Sequence, residues 1–192
     1  DELTAIPQAT SAFDIDARRR QLCVVKGFKI CLEFHNVTSN PMYVNWAVIA
    51  PKGNNDVGTG ASPVPVEDFF RSNGSERARD FSTTMTALQF HCDPINSDRY
   101  EILRHKRMLI GGKPGASDYT HSVKNNYIVN DEYIKLNRQV RWNASQETMS
   151  GACYLAYWFD ELGTSTSGAS VANALEVSQN VITYFKEPLQ CM

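Results

Sequence analysis

Apolar and polar residues alternate with a period of two along most of this chain, the pattern of strands half-buried against a core. Residues 21–35 carry it furthest. There Leu22, Val24, Phe28, Ile30, Leu32 and Phe34 fall on one side, interrupted only by Lys26, while the opposite side is half polar. A turn over residues 36–41 leads to a second strand, residues 42–50, with Met42, Val44, Trp46 and Val48 on one face. After a Gly/Asn/Asp loop (51–62), residues 63–74 have early prolines, acids in the first turn and a glycine stop, which predicts one short helix. A short strand is expected over residues 80–85.

Residues 99–110 predict a long strand with a cationic middle: Arg104, His105, Lys106 and Arg107 stand between apolar flanks, and Gly111 and Gly112 end the run. Strict alternation puts Tyr100, Ile102, Arg104, Lys106, Met108 and Ile110 on one face and Arg99, Leu103, His105, Arg107 and Leu109 on the other. Two further strands are expected over 127–129 and 133–142, the second with Ile134, Leu136, Val140 and Trp142 inward. Residues 153–159 are apolar on both faces and predict a central, two-sided strand. Residues 175–187, with Ile182, Tyr184 and Phe185, form the last. Many strands, one short helix and no βα alternation define an all-β fold, a two-sheet antiparallel sandwich or jelly roll with long inter-strand loops.

Composition changes this picture little. The chain of 192 residues is 42% hydrophobic and 21% charged, suited to one domain, and its formal net charge is -2. The charge is uneven. Residues 1–16 hold four acids and no Lys or Arg, whereas residues 99–141 hold nine Lys/Arg against four acids, so a local basic surface is expected despite the total. The five cysteines show no C-x-x-C spacing or zinc pattern and are read as reduced thiols. No apolar run is long enough for a membrane span.

No histidine pairing, nucleophile motif or phosphate-cradling loop appears, so no enzyme, metal or cofactor is expected. The paired acids Asp14/Asp16 and Asp160/Glu161 are read as solvated turns. Aromatic residues at strand positions (Trp46, Trp142, Trp158, Tyr154, Tyr157, Tyr184) are read mainly as core. Tyr100, Tyr133 and Trp142, each near cations, are the candidates for stacking a nucleic-acid base.

Residues 94–104 (Pro-Ile-Asn-Ser-Asp-Arg-Tyr-Glu-Ile-Leu-Arg) with His105-Lys106-Arg107, then 123–129, 152–158 and 180–185, resemble the capsid proteins of circular single-stranded DNA viruses that encode a replication initiator, in their geminivirus-like branch. The resemblance runs from about residue 64 to 187. It implies a single jelly roll (18–192) behind an extended N-terminal arm (1–17), self-assembling into a small icosahedral shell around circular single-stranded DNA. It further implies residence in the virion and, during assembly, the host nucleus, with a host receptor and the nuclear import machinery as partners and no membrane.

Members of that family carry an Arg/Lys-rich arm. Here only Arg18, Arg19 and Arg20 stand for its end, so the chain is expected to be the ordered part of a longer protein. The inner, DNA-facing surface is assigned to Arg18, Arg19, Arg20, Arg104, Lys106, Arg107, Arg138 and Arg141, with Tyr100 and Trp142 as stacking partners. Residues 1–17 and the loops 51–62, 113–126 and 163–168 are expected to supply subunit contacts. The competing expectations are a non-enzymatic jelly-roll binding module, lectin-like or receptor-binding, and a capsid protein of a small RNA virus, since phosphate contacts do not identify the sugar.

Overall fold

The computed structural model describes residues 1–10, 17–52, 69–71, 78–79, 89, 92–113, 126–145, 148–161 and 174–187. Nine strands occur among them: β1 (Leu22–Asn36), β2 (Met42–Pro51), β3 (Phe70–Arg71), β4 (Ala78–Arg79), β5 (Tyr100–Ile110), β6 (Tyr127–Trp142), β7 (Thr148–Ser150), β8 (Tyr154–Glu161) and β9 (Leu175–Lys186). The two strands expected over 127–142 are one continuous strand of 16 residues. Its polar middle (Asn130, Asp131, Glu132) keeps the alternation, and the inward members find polar partners across the sandwich.

Two antiparallel sheets form a jelly-roll-like sandwich, one in the order β7-β6-β1-β9 and the other β5-β2-β8. Each of the successive pairs β1/β2, β5/β6 and β8/β9 passes from one sheet to the other. The pairings β1·β9 and β2·β8 are nested, joining the start of the chain to its end. β2, not the apolar run in β8, is the central strand of its sheet. β8 is apolar on both faces for another reason: Leu155 enters the core between the sheets, while Tyr154 and Trp158 enter a second core behind them.

The main core contains Phe28, Ile30, Leu32 and Phe34 from β1 and Met42, Val44, Trp46 and Val48 from β2, all fully buried. Two phase breaks alter the expected faces. The register of β1 slips between Val25 and Gly27 against both neighbours. Cys23 and Val25, rather than Leu22 and Val24, therefore precede Phe28 in the core, and Lys26 is exposed. In β5 the register slips opposite Val48 and Ile49, leaving Leu103 as the extra residue. Tyr100 and Ile102 then share the face of His105 and Arg107, and Glu101 shares that of Arg104 and Lys106. A bulge of this kind adds one residue and inverts the alternation beyond it.

The second core lies on the far side of the three-stranded sheet, where Phe69, Phe70, Ile95, Tyr100, Tyr154 and Trp158 pack with Ala47 and Ile49. The helix expected over 63–74 is replaced by strand at Phe70 and Arg71, which pair with Arg79 and Ala78. Burial of both Phe69 and Phe70 in this core accounts for the difference. The remainder of that helix, the strand over 80–85 and most of the loops 51–62, 113–126 and 163–168 lie outside the described residues.

The first ten residues dock on the sandwich. Leu3 and Ile6 enter the main core, and Asp1 and Leu3 bond to Leu155 and Cys153, so this segment lines the outer edge of β8. Residues 11–16 of the expected arm lie outside the described residues.

Candidate nucleic-acid interface

The ten residues assigned to a nucleic-acid surface separate into three groups. Arg18, Tyr100 and Trp142 are buried. The Arg18 guanidinium lies 4.5 Å from the centroid of the Trp142 ring, and it donates from Nε to the Ile6 carbonyl at 3.0 Å and from Nη1 to the Arg20 carbonyl at 3.0 Å. Tyr100 packs at 5.6 Å from the Phe69 ring in the second core. None of the three presents its side chain to solvent, so all three assignments are corrected: they are structural.

A second group is paired with acids at an edge of the sandwich, where Arg104 remains exposed. Arg104 and Lys106 of β5 reach Glu132 of β6, at 2.6 and 2.7 Å. Lys106 also donates to Asn130 Oδ1 at 2.8 Å, and Arg138 pairs with Glu101. Burial pushes the Glu132 carboxyl up, but the bonds and charges of Lys106 and Arg104 outweigh it and hold the group below its ordinary value. These cations close an edge of the sandwich with their charge largely compensated. On the reverse of β5, His105 stacks on Trp158 at 5.5 Å. Burial and then the neighbouring Arg107 lower its pKa, favouring the neutral imidazole.

Arg19, Arg107 and Arg141 are exposed and Arg20 is half-buried. Arg19 and Arg20 donate their backbone N–H groups to Glu187 at the end of β9, and Arg141 lies opposite Leu22 in β1. Those three share one end of the four-stranded sheet. Arg107 projects from the other sheet, on the opposite side of the sandwich.

The exposed face of the four-stranded sheet is electrically divided. Lys26, Lys29, Lys135, Arg141 and Lys186 occupy one half, and Glu33, Asp131 and Glu176 the other. Lys29 meets Asp131 at 3.5 Å on the boundary, and Lys26 donates to Asn137 Oδ1 at 3.1 Å. The sequence hid this grouping because its lysines are spread over three strands and gathered only by pairing. Such a cationic half offers sequence-independent phosphate contacts. Among the described residues, no three His, Cys, Asp or Glu side chains are grouped to hold a metal ion. No protein-family model matches the chain, and neither does any curated protein.

Proposed function

We propose that this chain is a capsid subunit that self-assembles into a small icosahedral shell and packages circular single-stranded DNA, with its cationic surface toward the genome. The observation that carries the reading is where the recognised segments fall. Residues 98–104, 152–158 and 180–185 and the described part of 123–129 lie on or adjoin β5, β8, β9 and β6, the four strands that flank central β1 and β2. The same motifs thus build both walls of a jelly-roll-like sandwich, a fold that viral capsid proteins use.

The subunit works without chemistry. It neutralises phosphate by Lys and Arg, releases counterions and encloses the strand, so binding weakens as salt rises. Its sites of action are the virion and, during assembly, the host nucleus. The test is nuclease protection: the full-length protein is isolated from expressing cells and treated with DNase and RNase before extraction. Protected circular DNA is expected. Protected RNA moves the reading to an RNA virus, and a monomer or trimer with no protected nucleic acid replaces it with a binding module.

A further inference from the structure

The cationic half of the exposed sheet face contains an aromatic pair that charge alone does not require. Tyr133 of β6 stands beside Lys29, and Tyr184 of β9 beside Gly27, on opposite sides of β1. Their rings meet across that strand at 5.8 Å between centroids and 70° between planes. Gly27 makes the meeting possible: a Cβ there would stand 2.7 Å from the Tyr133 hydroxyl oxygen and would also strike the Ile134 carbonyl. The rings remain open to water, Tyr133 at 54% and Tyr184 at 45% exposed, and Ile182 beside them at 46%. Exposed aromatic rings flanked by Lys29, Lys135 and Lys186, with Asp131 on the remaining side of Tyr133, are not explained by packing of the subunit.

Resting on the packaging reading above, we infer that Tyr133 and Tyr184 form a stacking platform that receives unpaired bases of a single-stranded nucleic acid. Lys26, Lys29, Lys135, Lys186 and Arg141 hold its backbone. Charge complementarity selects a polyanion over an apolar partner. The rings select unpaired bases, because a duplex keeps its base faces stacked inside. Gly27 acts as a positioning residue: its missing side chain lets Tyr133 lean over β1 to reach Tyr184.

The experiment is an anisotropy titration of full-length protein with a labelled 20-nucleotide oligothymidylate and with a duplex of the same length, at fixed salt. Wild-type protein should prefer the single strand. Y133A/Y184A should weaken that binding roughly 10- to 100-fold with little change in its salt dependence, and Y133F/Y184F should restore it. Lys135→Gln with Lys186→Gln should instead flatten the salt dependence. Unchanged affinity in Y133A/Y184A, or equal binding of duplex and single strand, overturns the platform. If such a variant still forms particles containing nucleic acid, the platform fails while the capsid reading stands. If Y133A/Y184A abolishes subunit association yet binds the oligonucleotide as before, the face is a contact between copies and the inference is wrong.

Discussion

Arg18 lies with its guanidinium 4.5 Å from the centre of the Trp142 ring, and both side chains are fully buried. A charge in that position is held by the ring face and by two carbonyls, not by phosphate. Arg18→Ala is expected to destabilise the protein by about 3 kcal/mol, because it removes two charged hydrogen bonds and the packing on Trp142. Urea unfolding measures the loss. A stable Arg18→Ala protein with weakened oligonucleotide binding would place Arg18 at the interface instead.

Glu132 sits between Arg104 and Lys106 with its carboxyl held below the ordinary value. A carboxylate lowered on folding stabilises the protein above its unfolded pKa, and that contribution disappears as pH falls through the lower, folded pKa. Glu132→Gln should cost about 1–2 kcal/mol at pH 7, the scale of a partly screened pair with two cations. The difference from wild type should shrink below about pH 4. Urea midpoints at pH 7, 5 and 3 check the sign; a difference that grows toward acid contradicts the pairing.

Arg107 and Arg141 project from opposite sheets, so their substitutions should part company. Arg141→Ala is expected to lower the salt slope of nucleic-acid binding by about 1, and Arg107→Ala to leave it unchanged. Both should alter stability by less than about 0.5 kcal/mol. Paired salt titrations decide it. A larger loss from Arg107 than from Arg141 would move the interface to the other face.

Gly27→Ala should destabilise by about 2 kcal/mol or more, since the new methyl group meets backbone of β6 as well as the Tyr133 ring. Thermal unfolding reads this directly. An unchanged midpoint would mean that β1 and β6 are not closely apposed there.

The thiols should differ in reactivity. Burial, then Glu187, pushes Cys23 up to about 11, and burial pushes Cys153 up to about 12, so both remain protonated at pH 8. Cys92 is exposed. A thiol reagent applied at pH 8 to native protein should label Cys92 well before Cys23 or Cys153, as peptide mapping would show. Early labelling of Cys153 would contradict its burial.

Alternation along the chain was enough to place β1, β2, β5, β6, β8 and β9 and the all-β class, because period two survives without tertiary knowledge. It failed where one extra residue reverses the phase. Leu103 carries no local sign of a bulge, whereas Lys26 does, as the one polar residue on the apolar side of β1 and the neighbour of Gly27; each turned the residues before it onto the opposite face. Arg138 was legible in principle: it keeps phase with Ile134, Leu136, Val140 and Trp142, which places it on the inward face where Glu101 meets it. Glu132 shares that phase. The burial of Arg18 was not legible, since its carbonyl partners and Trp142 come together only when the first ten residues fold back. Tyr133 was recognised as a stacking candidate, whereas Tyr184 was assigned to the core, and nothing local joins two tyrosines so far apart in sequence.

The central claim is assembly around nucleic acid, and electron microscopy of negatively stained, purified full-length protein tests it most directly, with absorbance at 260 and 280 nm taken on the same fraction. The account predicts uniform small spherical particles with a clear nucleic-acid contribution to the absorbance. A nucleic-acid-free monomer or trimer, persisting across salt and pH, would contradict it.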